Sequence, residues 1–176
     1  MKRWLLALVG LLVGLPLLVY LIGLAVPRDH VATVSIDLVA PPDKVWALVS
    51  DLEHSNTWRP DVTAIRLEPA VDGKMRFTES GAQGDIGFEV LSQEPPRRQV
   101  VRVIDDNQPF GGTWTWQLEP LGAGTKLTVT EAGFVKSPIF RAMGLIFFSP
   151  TATLEDYLRA LAKALGESAE PRAIQS

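Results

Sequence analysis

The chain has 176 residues, of which 17 are Lys or Arg and 20 are Asp or Glu, so its formal net charge is −3 at pH 7. This acidic balance argues against a nucleic-acid partner, because such proteins present a basic face to the phosphate backbone. The absence of cysteine excludes disulfides, thiolate catalysis and cysteine metal ligands. His30 and His54 are too few for a histidine-rich metal centre, so we expect neither a metal site nor a cofactor.

An uncharged run from Trp4 to Val26 is the first feature along the chain, directly after Lys2 and Arg3. As a helix it would be about 34 Å long at 1.5 Å per residue, against a hydrocarbon core of roughly 30 Å. We therefore predict a transmembrane anchor over residues 1–27. Lys2 and Arg3 favour a cytoplasmic N terminus, which makes this a single-pass membrane protein with an extracytoplasmic domain. The alternative is a cleaved signal peptide.

The predicted domain spans residues 28–166 and begins with strands. Val31–Val39 alternates apolar and polar residues, as a half-buried strand does. Pro41 and Pro42 end this strand and open a short helix. Six strand-like runs follow with short links, which predict an antiparallel meander. The runs are Val62–Leu67, Lys74–Glu79, Asp85–Ser92, Gln99–Asp105, Thr113–Glu119 and Thr125–Glu131.

The domain is predicted to end in a long helix. Ser137 and Pro138 form a start signal, and Gly166 is a stop signal. Pro150 predicts a kink or break within this helix. Residues 167–176 are expected to form a disordered tail. One amphipathic helix against one long antiparallel sheet predicts an α+β fold.

Three stretches carry a family resemblance: Ile36–Trp46, Asp51–Pro60, and Gly112–Pro120 together with Thr128–Glu131 and Thr151–Leu158. They resemble the START-like helix-grip superfamily, and within it the polyketide cyclase/dehydratase and lipid-transport group. The resemblance implies a seven-stranded curved antiparallel sheet around a long C-terminal helix, with a cavity between them. It implies no particular reaction, because the family has no universal catalytic motif.

Strand alternation and helical spacing indicate which side chains would face such a cavity. The predicted ligand-binding residues are Trp58, Phe77, Glu79, Trp114, Trp116, Val129, Glu131, Met143 and Phe147. The aromatic residues and Met143 fit either a pocket wall or ordinary core packing. Trp58 lies in a loop, where it could cap the cavity or fasten the loop to the core. Catalytic residues cannot be assigned from these patterns.

Glu79 and Glu131 each stand at the end of an inward strand face. There a carboxylate could orient a polar ligand group or act as an acid or base with a raised pKa, and the simpler interpretation is an exposed strand end. His54 is a weaker candidate, because no nucleophile accompanies it.

Three functions remain open from the sequence. The first is a membrane-anchored module that binds a hydrophobic small molecule or a lipid. The second is a polyketide cyclase/dehydratase-like enzyme that uses a cavity carboxylate. The third is an interaction domain with a filled interior.

Overall fold

The computed structural model describes residues 2–104, 108–147 and 149–174, with side chains for all of these except 2–11, 146 and 147. The helices are α1 (Lys2–Ala25), α2 (Pro42–Ser50), α3 (Pro138–Phe147) and α4 (Ala152–Ala164), and Ser55–Thr57 form a single 3₁₀ turn. The strands are β1 (Asp29–Leu38), β2 (Val62–Val71), β3 (Lys74–Gly81), β4 (Gly84–Glu94), β5 (Arg98–Val103), β6 (Phe110–Leu121), β7 (Gly124–Val135) and β8 (Arg172–Ala173).

All eight strands form one sheet in the order β2-β3-β4-β5-β6-β7-β1-β8. The pairs are antiparallel, so the meander predicted from the six strand-like runs is confirmed. The prediction of seven strands was wrong by one. Arg172 and Ala173 pair with Ser35 and Val34 on the free edge of β1, inside the stretch expected to be a disordered tail.

The strands present one face to the core, as their alternation predicts. Val129 lies opposite Val34 on one neighbour and Trp116 on the other, and all three side chains are buried. We call the face that carries them the inner face of the sheet. Helix α4 packs over its β1 and β7 side, where Leu154, Leu158 and Leu161 are fully buried. The core therefore lies between α4 and this side of the inner face.

The C-terminal helical region consists of two helices, so of the predicted kink or break at Pro150 the structure has the break. The break falls between Phe147 and Ala152, around Pro150, where a start signal repeats. Helix α4 covers the sheet, whereas α3 packs against α1 and β7. A side chain on α3 therefore does not share the environment of one on α4.

The prediction of a membrane anchor over residues 1–27 must be corrected. The segment does form a helix, α1. However, the described residues contain no helix that is long and apolar enough to cross a membrane. The predicted single-pass membrane location is therefore wrong, and the extracytoplasmic placement that was inferred from it loses its basis. Helix α1 instead joins the fold at its C-terminal end: a Cβ added to Gly23 would clash with the backbone of Pro138 on α3, and Arg141 donates a hydrogen bond to the Val26 carbonyl oxygen at 3.0 Å.

Candidate functional site

Aromatic rings from three parts of the chain meet around Tyr157 on α4. The Trp58 ring packs edge-on against Tyr157 with a centroid distance of 5.3 Å. The Trp116 and Trp114 rings lie 5.9 Å and 6.0 Å from Tyr157. We call these four residues the aromatic cluster. Its burial raises the pKa of Tyr157, so this phenol stays neutral and serves as a packing centre.

Arg59 connects the aromatic cluster to the sheet. Its guanidinium lies 5.6 Å from the Tyr157 ring centroid and donates to both carboxylate oxygens of Glu79, at 2.6 Å and 3.1 Å. It also donates to Asp61 at 2.8 Å. Glu79, predicted as a ligand contact or an acid/base group, is therefore committed to an ion pair. Burial lowers the pKa of Arg59, but the two carboxylates outweigh this and raise it.

Glu131 has a different environment on β7. It lies opposite Trp114 on β6 and Ala32 on β1. Its side chain is 25% exposed, and its carboxylate lies 3.8 Å from Nε2 of His30. Burial raises the pKa of this carboxyl, while His30 and the Trp114 indole oppose the shift. The His30 contact is long, so burial prevails and Glu131 keeps its proton to a higher pH than an exposed glutamate does.

A glycine makes room for the His30 ring beside Glu131. A Cβ at Gly133 would lie 2.8 Å from Cε1 and 2.9 Å from Nε2 of His30, and 3.3 Å from Oε1 of Glu131. These contacts are closer than ordinary packing allows. The absence of a side chain at this position is thus what lets the imidazole approach the carboxyl.

The predicted wall residues divide into three groups. Phe77, Trp116 and Val129 are buried in the core, and Trp114 is partly buried against it. Met143 lies on α3, away from this core, with 38% of its surface exposed. The side chain of Phe147 lies outside the described residues. The structure therefore brings together the strand positions of the prediction but not Met143, because the break before α4 separates the two helices.

His54 lies on the surface. Its Nδ1 is 2.9 Å from Asp51 Oδ1, and 67% of its side chain is exposed. The hydrogen bond with Asp51 raises the pKa of this histidine. Since it is solvent-exposed and pairs with Asp51, we exclude it from the site. The described part of the chain holds no group of three His, Cys, Asp or Glu side chains placed to bind a metal ion.

Part of the inner face is not covered by α4. Leu67 on β2 and Met75 on β3 are each 45% exposed, although their registers place them on the same face as Phe77. Ile65 and Phe88 beside them are partly buried. We call Ile65, Leu67, Met75 and Phe88 the open inner face. It is an apolar surface that ends at the Arg59–Glu79 ion pair and the aromatic cluster.

Two shallow concavities of about 310 Å³ each lie elsewhere. The first is lined by Arg66, Thr78, Asp85, Gly87 and Ile104, and the second by Pro42, Asp43, Pro96, Arg97, Leu118 and Pro120. Neither is the predicted space between sheet and helix. Around Tyr157 that space is occupied by the aromatic cluster itself.

Residues 29–166 match the family described as polyketide cyclase/dehydrase and lipid transport. The chain belongs to this family. The predicted resemblance is thereby confirmed, and the large antiparallel sheet with α4 fits the helix-grip fold; β8 lies outside the matched residues. No curated protein matches the sequence.

Solved structures with the same fold include several enzymes. The chain is similar to the Zhui aromatase/cyclase from a Streptomyces species, with a TM-score of 0.64 and 15% identity over 78% of this chain and 94% of that one. Norcoclaurine synthase from Thalictrum flavum gives a TM-score of 0.61 and 15% identity over 78% and 93%. The di-domain aromatase/cyclase StfQ of the steffimycin pathway gives 0.64 and 14% over 79% of this chain, which spans only 53% of StfQ. At these identities the similarity establishes the fold alone.

Sequence reasoning did not find Arg59 or Tyr157 as site residues. Tyr157 was one of several apolar positions of a helix, and nothing in its spacing distinguished it from the leucines. Arg59 lay in a turn and had no visible partner. The 3₁₀ turn and the β2–β3 pairing bring it to Glu79, twenty positions further along the chain.

Proposed function

We propose that the domain binds a hydrophobic small molecule, such as a lipid or a polyketide-like compound, on the open inner face. The observation that carries this proposal is the exposure of Leu67 and Met75 on the side of the sheet that is otherwise buried. Family membership supports it, since the family description joins cyclases and lipid transport proteins.

The physical basis of binding is burial of apolar surface. Each Å² removed from water contributes about 25 cal/mol before the costs of association. The open inner face offers four apolar side chains, and the partly buried Trp58 and Trp114 extend this surface toward the aromatic cluster. Ligand sites of this kind are mostly apolar with a few fixed polar groups, and here the Arg59–Glu79 ion pair lies at the end of the open inner face.

A titration with phenylnaphthylamine, a neutral apolar fluorescent probe, tests this proposal in the full chain. We expect saturable binding that Leu67→Lys weakens at least about tenfold, because a charge on the open inner face must be desolvated by the probe. Leu121→Lys is the matched control, since Leu121 is also about half exposed, at 49%, but lies at the end of β6. Equal binding by wild type and both variants would contradict the site, and absence of saturable binding would contradict the function.

The second candidate function is acid/base catalysis by Glu131. A desolvated carboxyl with a raised pKa can take a proton from carbon beside a carbonyl, or give one to a leaving hydroxyl. The similarity in fold to aromatase/cyclases makes a cyclisation with loss of water the reaction to test. Glu131→Gln should abolish turnover of a linear poly-β-ketone thioester, measured by mass spectrometry as loss of water, while probe binding persists. Wild-type protein that binds but never converts this substrate would leave binding as the function.

A further inference from the structure

Several hydrogen-bond donors beside Tyr157 are buried without a partner. Nε1 of Trp58, Nε1 of Trp116 and Nε of Arg59 make no hydrogen bond within the described structure, and the hydroxyl oxygen of Ser55, in the same turn as Trp58, makes none either. The Trp116 N–H lowers the pKa of the Tyr157 hydroxyl as a donor would, yet its geometry to that oxygen falls short of a hydrogen bond. We call the N–H groups of Trp58, Arg59 and Trp116 the free donors.

Buried donors rarely stay unpaired, because each loses its hydrogen bonds to water without gaining another. One such group has many explanations, but here three unpaired N–H groups belong to side chains that all pack against Tyr157. All three lack an acceptor among the described residues. Arg59 shows this most clearly, since both Nη atoms reach carboxylates while Nε remains unused.

The charge around Arg59 decides what kind of acceptor fits. Two carboxylates, Glu79 and Asp61, already bind its one positive charge. A third anion would meet a site whose local charge is negative, and it would lose its hydration on burial. A neutral oxygen with free lone pairs avoids the charge repulsion and loses less hydration free energy on burial than an anion does.

We propose that the free donors recognise a neutral acceptor oxygen, as in a ketone, ester or ether, at one end of the hydrophobic ligand. This inference rests on the proposed function, because the apolar remainder of the ligand lies on the open inner face. Trp58 and Arg59 are the partly buried members of the set, whereas Trp116 is buried, and Trp58 directly follows the 3₁₀ turn at the edge of the aromatic cluster. The ligand therefore reaches the free donors from the side of Trp58.

Three naphthalene probes of nearly equal size separate the possibilities in the full chain. Acetylnaphthalene carries a neutral carbonyl, isopropylnaphthalene replaces it with a hydrocarbon, and naphthoate replaces it with a carboxylate. We expect acetylnaphthalene to bind about tenfold more tightly than isopropylnaphthalene, with naphthoate weakest. Equal affinity for the ketone and the hydrocarbon, or tightest binding of naphthoate, would overturn the inference while the proposed function stands. Binding of none of the three would contradict the proposed function itself.

Two Trp→Phe variants test whether the preference for the ketone probe comes from the free donors. Trp116→Phe removes an N–H but keeps an aromatic ring, so the ketone should lose its advantage while the affinity for isopropylnaphthalene stays within about twofold. Trp58→Phe should act in the same way and replaces Trp116→Phe if the latter does not fold. Trp46→Phe is the control, because Trp46 packs against the same core from α2 and is not one of the free donors. A ketone preference that survives both Trp58→Phe and Trp116→Phe would overturn the assignment.

Discussion

The guanidinium of Arg59 lies 2.6 Å from the carboxylate of Glu79, and both side chains are about 15% exposed. This pair joins the turn before β2 to the inner face of β3. Removing one partner of a mostly buried ion pair leaves the other charge without compensation, which typically costs about 3–5 kcal/mol. We therefore expect Arg59→Met to lower the free energy of unfolding by about 3 kcal/mol.

Urea denaturation measures this effect, with Arg66→Met as its control. Arg66 pairs with Glu68 on the surface, where its side chain is 66% exposed, so its loss should destabilise the fold much less than the loss of Arg59. Equal effects of the two variants would show that the Arg59 pair does not fasten the turn.

The raised pKa of Glu131 predicts that the stability of the fold depends on pH. Its pKa is raised in the folded protein, so the folded state holds this proton more tightly than the unfolded state does. Stability should therefore fall as the pH rises from the ordinary glutamate value, about 4.3, through the raised folded value. Glu131→Gln should remove this part of the pH dependence, measured as unfolding free energy at a series of pH values. An unchanged profile in the variant would contradict the assignment.

The close contact between His30 and Gly133 allows a test of how His30 affects the pKa of Glu131. In Gly133→Ala the new methyl group would meet the imidazole at 2.8 Å, so the ring must move away from the carboxyl. Because His30 opposes the upward shift, its withdrawal should raise the pKa of Glu131 further. A carboxyl NMR titration of Gly133→Ala checks this, and His30→Ala should give a shift in the same direction. A lowered pKa in both variants would be the wrong sign.

Val129 tests how well the core is filled beneath α4. Its side chain is fully buried between Val34 and Trp116, so Val129→Trp should destabilise the domain by overpacking, by about 1–3 kcal/mol or more. Leu67→Trp is the control, because a larger ring on the open inner face has solvent to extend into. Thermal unfolding measures the stability of both variants. A Val129→Trp variant as stable as Leu67→Trp would contradict the prediction and indicate a cavity beside Val129.

Much of the fold follows from local patterns. Alternation along Thr113–Glu119 and Thr125–Glu131 correctly placed Trp116 and Val129 on one face, and the structure pairs them directly. Family resemblance then supplied the arrangement of the sheet and the helix. The eighth strand was missed because two residues, Arg172 and Ala173, carry no periodicity, and only the free edge of β1 makes them a strand.

The site was less predictable, since it depends on contacts between distant segments. Glu131 was identified from strand parity, but its neighbour His30 follows only from the pairing of β7 with β1. The assignment of Trp4–Val26 as a membrane anchor rested on hydropathy alone, which does not register that the end of α1 packs against α3.

The location of the ligand is the central claim, and amide NMR shifts of the full chain titrated with phenylnaphthylamine test it most directly. We predict that the largest shifts occur at Leu67, Met75 and Phe88 and at the indole N–H of Trp58. Helices α1 and α3 also expose apolar side chains, including Leu21 and Phe140. These helices would bind the probe if it bound non-specifically to exposed hydrophobic surface. Shifts confined to α1 and α3, with the amides of β2, β3 and β4 unmoved, would contradict the account.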